Sequence, residues 1–267
     1  MDLDLPFILF WAVLACAVVW LVDVLFFRRR RLERDAQAAD PTLVEYARSF
    51  FPVLLLVLLL RSFLAEPYQI PSESMVPTLE VGDFILVNKY AYGLRLPVWG
   101  TKILDVDEPQ RGDIMVFVPP HDPRYFIKRV IGVPGDTVRY ENKVLFINGQ
   151  RVSYALVGEV DGRSYRPVTR EYQETIDGRS HSIYKNARFE PPQSWQIPVG
   201  SYLMLGDNRD NSQDSRYWGL AREENIVGKA VAIWLHKEPG WRLPTFARNR
   251  WFEQGDEDHE TEERPGE

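Results

Sequence analysis

Cysteine is almost missing from this 267-residue chain. Cys16 stands alone inside an apolar run, so neither an intrachain disulfide nor a cysteine metal site can form. Histidine is scarce too: His121, His181, His236 and His259 are the full set, and none belongs to a recognisable triad motif such as Gly-x-Ser-x-Gly. An excess of basic charge is also lacking. The formal charge is -6, yet residues 253–267 carry eight acids against one arginine, a net -7, which leaves the rest of the chain at about +1. That balance offers no nucleic-acid face. No basic segment precedes the first apolar run, which opens after Asp2 and Asp4, so this run is expected to be an anchor and not a cleaved leader.

What is present begins with two apolar stretches. Residues 5–27 are apolar except for Asp23, and they match the roughly 20 residues that cross a bilayer. Residues 46–65 contain no Asp or Glu, and Arg61 can snorkel toward the headgroups, although a buried soluble helix is the competing reading. Between them Arg28, Arg29, Arg30, Arg31 and Arg34 fill a short connection, so the positive-inside rule puts it in the cytoplasm and both termini outside. The expected division is a first transmembrane helix with a short outer N-terminus over 1–27, a basic cytoplasmic loop over 28–45 and a second transmembrane helix over 46–65. An outer β domain follows over 66–152 and 194–236, with an inserted β subdomain over 153–193. The extension over 237–267 holds a basic stretch and an acidic tail, the tail expected to be solvated and disordered.

Beyond Leu79 short β-like runs alternate with turns. Phe84-Ile85-Leu86-Val87, Ile114-Met115-Val116-Phe117-Val118, residues 125–133, Val144-Leu145-Phe146-Ile147, residues 201–205 and 226–235 read as strands. Gly-Asp pairs supply turns between them, and Asn148-Gly149 is a hairpin signal. No run has sustained helical periodicity with caps, so the fold class is mainly β, an antiparallel β domain behind two transmembrane helices.

The stretch Pro71-Ser72-Glu73-Ser74-Met75-Val76-Pro77-Thr78-Leu79 follows the second apolar run within a few residues. Its prolines fix two φ angles and remove two backbone donors, so it is extended or turning: a linker, or a segment that presents a hydroxyl. A serine nucleophile needs a base, and Ser74 has no Ser-x-x-Lys partner. Lys128 lies in an apolar and aromatic run, where strand alternation puts Phe126, Lys128 and Val130 on one face. An amine there loses hydration and shifts toward the pKa of roughly 7–8 that a base requires; on an edge strand it would point at water instead. The polar run Gly206-Asp207-Asn208-Arg209-Asp210-Asn211-Ser212-Gln213-Asp214-Ser215-Arg216 follows a strand directly. It is either a tight hydrogen-bonded loop or a metal loop, although the glycine and terminal glutamate of a calcium loop are missing.

Four blocks in order resemble bacterial type I signal peptidase, the leader peptidase, in its Gram-negative two-span form. They are Pro71-Ser72-x-Ser74-Met75-x-Pro77-Thr78-Leu79, Arg111-Gly112-Asp113-Ile114-x-Val116-Phe117, Ile127-Lys128-Arg129-Val130-Ile131-Gly132-x-Pro134-Gly135-Asp136, and the polar run. The resemblance implies a membrane-bound serine endopeptidase that removes signal peptides from exported preproteins, cutting after small residues at -1 and -3. By position the nucleophile falls on Ser74, the general base on Lys128 and an oxyanion donor on Ser72, while Ser212 matches the residue that orients the lysine. Asp207, Asn208, Asp214 and Arg216 fall in the supporting loop, Asp214 and Arg216 as an ion pair. The substrate pockets would be lined by Ile70, Pro71, Met75, Leu79, Phe126 and Ile127, with Tyr68, Ile85 and Val116 nearer the third residue, and each of these can equally be plain core. No cofactor or metal is implied. The implied partners are signal peptides and the lipid bilayer, with no nucleic acid, and the chain is expected to be a monomer in the inner membrane with its catalytic domain in the periplasm. Two departures stand out. Glu73 replaces a frequently small residue, and the insert lacks the cysteine pair of some relatives, in a region expected to lie away from the chemistry.

Overall fold

The computed structural model describes residues 5–34, 39–63, 65–95, 102–104, 106–160 and 168–252. Asp161-Gly162, which reads as a turn signal in the sequence, His259 and the acidic tail lie outside these residues. The chain forms two compact units, Met1–Glu66 with Lys89–Asp107, and Pro67–Asn88 with Glu108–Glu267.

In the first unit, α1 (Leu5–Val22) runs through a π-helical segment, Asp23–Phe27, into α2 (Arg28–Arg34), and α3 (Thr42–Phe63) follows. Two helical stretches, 7–33 and 42–59, are long and apolar enough to cross a membrane. α1 packs on α3, burying Val13, Val44, Ala47 and Leu58, while Leu25, Phe26, Val53 and Leu56 are exposed. Apolar side chains all round a helix suit a lipid solvent. The arginines continue the helix instead of leaving it, because arginine is a good helix former and nothing breaks the run. Asp23 accepts two hydrogen bonds from Arg31, at 2.7 and 3.0 Å, and Arg31 also donates to Asp40 at 2.6 Å.

The strands are, in order, β1 (Ala65–Gln69), β2 (Asp83–Asn88), β3 (Leu94–Arg95), β4 (Lys102–Leu104), β5 (Ile114–Phe117) and β6 (Phe126–Gly132). Next come β7 (Thr137–Glu141), β8 (Val144–Ile147), β9 (Gln150–Arg151), β10 (Ser153–Glu159), β11 (Thr169–Ile176) and β12 (Arg179–Asn186). The last are β13 (Gln193–Gln196), β14 (Ser201–Leu205), β15 (Ala221–Arg222), β16 (Ile226–His236) and β17 (Arg250–Trp251). The main sheet has the order β1-β2-β16-β5-β6-β14-β15, with β17 paired to β16. A four-stranded sheet, β13-β7-β8-β9, and a three-stranded sheet, β10-β11-β12, complete the second unit. The fold is mainly β and antiparallel, as the alternating runs predict.

Turn chemistry fixes the hairpins. Asn148 and Gly149 both take positive φ, 52° and 81°, between β8 and β9, the requirement of a two-residue I′ turn. Asp177 and Gly178, at 49° and 79°, do the same between β11 and β12. Arg111 donates to Asp136 at 2.8 and 2.7 Å, so the Arg-Gly-Asp and Pro-Gly-Asp turns anchor each other.

Two features depart from the sequence reading. Asp214 caps a single helical turn, α4 (Ser215–Trp218), which is too short to show periodicity. Part of the extension after residue 236 is ordered against the sheet: β17 pairs with β16, Phe252 joins the core, and Arg248 donates to Asp83 at 3.0 Å twice and to Glu80 at 2.6 Å.

Candidate active site

The Pro71–Leu79 stretch is pinned at its start, where Ile70 N–H donates to the Asp83 carbonyl at 2.8 Å and Gly82 N–H donates to the Ile70 carbonyl at 3.0 Å. Its prolines exclude a regular helix, and only one 3-10 turn forms, Glu73–Met75. That turn buries Met75 completely and leaves Ser74 8% exposed, while Ser72 stays exposed. The Val76–Pro77 peptide is cis.

Lys128 sits in β6, which pairs with β5 on one side and β14 on the other, Met115 lying opposite Lys128. It is therefore on an interior strand, and its side chain cannot escape to a sheet edge. Only 3% exposed, its amine donates to Ser74 Oγ at 2.6 Å and to the Ile127 carbonyl at 2.8 Å, with the Phe126 ring centroid 5.6 Å away. Burial pulls this amine down to about 8; Asp214 and Asp207 oppose the shift and Arg216 reinforces it. Ser72 Oγ lies 3.4 Å from Ser74 Oγ.

The polar run closes over this pair. Asn208 N–H donates to the Ser74 carbonyl at 3.1 Å and Asn208 Nδ2 donates to the Glu73 carbonyl at 3.1 Å. Burial favours the neutral form of Asp207, but the charge and two hydrogen bonds of Arg129, at 2.8 and 2.6 Å, outweigh it and hold the carboxyl below the usual range. Asp207 also accepts from Thr78 Oγ1. Asp214 accepts from Arg216 Nε and Nη2, each at 2.8 Å, and from the Gly206 N–H at 3.0 Å. Asp210 pairs with Lys143. Each alternating acid thus holds a cation of the protein itself, which makes the run a hydrogen-bonded loop. Among the described residues no three His, Cys, Asp or Glu side chains converge as a metal group would require.

Ser212 is 8% exposed and its Oγ makes no hydrogen bond, so the second bond of the Lys128 amine goes to the Ile127 carbonyl and not to this hydroxyl. The described histidines are engaged elsewhere: His121 stacks on Trp218, His181 lies 3.0 Å from Glu174, and His236 lies 2.7 Å from Asp83.

The residues expected to line substrate pockets divide by exposure. Ile70, Met75, Leu79, Ile85, Val116 and Ile127 all belong to one buried cluster, each 9% exposed or less. Such side chains contribute about 1.5–3 kcal/mol apiece as core. Pro71 is exposed, and Tyr68 and Phe126 are half-buried. Arg129, Thr78 and Arg209 carry much of the loop's bonding without having been assigned roles from sequence. Their signal is weak because arginine and threonine are ordinary strand and turn residues.

A buried serine–amine pair in a mainly β chain with two apolar helices bears on the comparisons with known proteins. The family model described as signal peptidase, peptidase S26, matches residues 43–235. Signal peptidase I of Pseudomonas aeruginosa is 49% identical over 281 residues, covering 93% of this chain and 98% of that protein. Signal peptidase I of Pseudomonas fluorescens is 47% identical, with the same coverage of 93% and 98%. A crystal structure of a signal peptidase I from Enterococcus faecalis V583 is 28% identical and covers 47% of this chain and 98% of that chain, with a TM-score of 0.30. Matched over most of its length, the chain belongs to the signal peptidase, peptidase S26, family and is a serine endopeptidase.

Proposed function

We propose that this membrane protein cleaves signal peptides from exported preproteins, after small residues at -1 and -3, with Ser74 as nucleophile and Lys128 as general base. The observation that carries the reading is the 2.6 Å approach of a buried amine, pulled down to about 8, to the Ser74 hydroxyl. A neutral Lys128 amine accepts the proton as Ser74 Oγ attacks the scissile carbonyl carbon. The tetrahedral oxyanion is held by the Ser74 N–H and the Ser72 hydroxyl, donors that can each be worth about 3 kcal/mol of barrier. Collapse breaks the C–N bond, and Lys128 passes its proton to the leaving amine, the new N-terminus of the mature protein. Water, deprotonated by the same amine, then hydrolyses the acyl-enzyme and frees the signal peptide.

The substrate lies extended, as an added strand, with small side chains resting on the apolar cluster. Tyr68, Pro71 and Phe126 form the rim, Ile70 and Ile127 lie nearest the surface of the floor, and Met75, Leu79, Ile85 and Val116, 2% exposed or less, back it from the core, Ile85 and Val116 toward the third residue. Asp207, Asn208, Asp214 and Arg216 hold the loop over the nucleophile, and Ser212, whose buried hydroxyl has no hydrogen-bond partner, orients the amine. The arginines of α2, between two apolar helices, support an inner-membrane protein whose β unit is periplasmic. The protein works as a monomer in the lipid bilayer.

The test is cleavage of a purified preprotein by the detergent-solubilised full chain, comparing wild type with Ser74→Ala and Lys128→Ala at equal folded concentration. Both substitutions are expected to abolish cleavage at the small-x-small site. Wild-type turnover by either moves the nucleophile or the base to another residue.

A further inference from the structure

Residues 206–211 are bonded like a middle strand. On one side Tyr184 of β12 donates its N–H to the Asp207 carbonyl at 2.9 Å and accepts from the Arg209 N–H at 2.9 Å. On the other side Asn208 holds the carbonyls of Ser74 and Glu73. Successive residues of an extended chain direct their amides to opposite sides, so Asn208 cannot shift without displacing Tyr184 or Ser74.

The register of this contact is fixed by Arg209 and Glu174, both fully buried side chains. Arg209 donates through both Nη atoms to the Glu174 carboxylate on β11, one bond measuring 2.8 Å, and through Nε to the Gly206 carbonyl at 3.2 Å. Behind Glu174, His181 Nε2 lies 3.0 Å from the same carboxylate. Replacing a buried pair like this by apolar side chains is often neutral for stability, whereas its two parallel bonds fix orientation. The worth of the pair is therefore geometric. The inserted sheet is not remote from the chemistry, as the sequence suggested, because β11 and β12 carry the loop that carries the Ser74 backbone.

We infer that Glu174 is a positioning residue for Ser74: it holds Arg209, Arg209 holds the 206–211 loop, and the loop holds the Glu73 and Ser74 carbonyls, one on each side of the Ser74 Cα. This rests on Ser74 being the nucleophile. A misplacement of about 1 Å can cost roughly a hundredfold in rate.

The experiment uses the full detergent-solubilised chain, with turnover of a preprotein normalised to Ser74 sites titrated by a serine-acylating inhibitor. Normalisation removes any unfolded fraction, the change a merely structural role would produce. Glu174→Gln keeps the shape and removes the charge; kcat per titrated site is expected to fall about ten- to a hundredfold with KM within about twofold of wild type. The double variant Glu174→Leu with Arg209→Met replaces the pair by apolar volume, and it is expected to melt cooperatively and still show the reduced kcat. Wild-type kcat per site in either variant overturns the inference. If Glu174→Gln does not fold, the double variant decides alone, and failure of both to melt cooperatively makes Glu174 structural and likewise overturns it. A Ser74→Ala control that still cleaves would instead sink the nucleophile reading, whatever the Glu174 variants do.

Discussion

Lys128 Nζ and Ser74 Oγ meet at 2.6 Å although 54 residues separate them in the chain. One comes from an interior strand and the other from a proline-bounded turn, so the contact exists only when β6 and the 73–75 turn are packed on the same apolar cluster. The chemistry of the pair depends on how completely that packing excludes water.

The pH dependence follows from that exclusion. Burial pulls Lys128 down to about 8, and only the neutral amine can take the Ser74 proton. Cleavage is expected to rise with pH to a plateau above about 8 and to fall about tenfold per unit below it. Measuring kcat/KM from pH 5.5 to 9 checks this; a limb near 6.5 would point to an imidazole base.

Lys128→Met should abolish cleavage and yet stabilise the protein. A folded amine pulled from its model value of 10.5 to about 8 represents up to about 3 kcal/mol of unfavourable burial at pH 7, and methionine fills similar volume without it. The sign is fixed by linkage. Below about pH 8 both states hold the proton and the penalty is full; between 8 and 10.5 the folded amine is neutral while the unfolded one still binds its proton, so wild-type stability recovers with rising pH. Denaturant unfolding of both proteins at pH 7 and pH 10 should show the gap narrowing, and a methionine variant less stable at pH 7 counts against a desolvated amine.

Ser72→Ala isolates the second hydroxyl. Ser72 is exposed and lies 3.4 Å from Ser74 Oγ, so its loss leaves stability within about 0.5 kcal/mol. As an oxyanion donor it should cost about 10²–10³ in kcat. Unchanged kcat would place the donor elsewhere.

Gly206→Ala is expected to disable the site through the backbone. An added Cβ would overlap both the Ser212 hydroxyl and the Ser74 carbonyl oxygen. Rotating the hydroxyl leaves the Ser212 Cβ 2.6 Å away, and the carbonyl is main chain, so the Ser74 backbone itself must move. Loss of more than about a hundredfold in kcat with about 1–3 kcal/mol of destabilisation is the expected outcome of steady-state kinetics and thermal melts on one preparation.

Much of this was legible locally. Short apolar runs bounded by turn residues marked β2, β5, β6 and β8, Asn-Gly turn chemistry marked the hairpin at Asn148-Gly149, and apolar length marked the two helices. The exposure of the expected pocket residues was not legible, since an isoleucine at the rim and one in the core have the same sequence signature. Glu174, Arg248 and Phe252 were missed for a related reason: each meets its partner across sheet pairings that no short-range pattern encodes.

By itself the chain determined which segments are apolar, extended or turned, and which of them carry a hydroxyl or an amine, because those properties belong to single side chains and their near neighbours. The tertiary structure alone decided that β6, the strand of Lys128, lies between two others and that the amine loses its water, that Asn208 reaches the Ser74 carbonyl, and that β12 holds the loop that reaches it. Desolvation and hydrogen-bond geometry are properties of surroundings, and the surroundings are assembled from segments far apart in sequence.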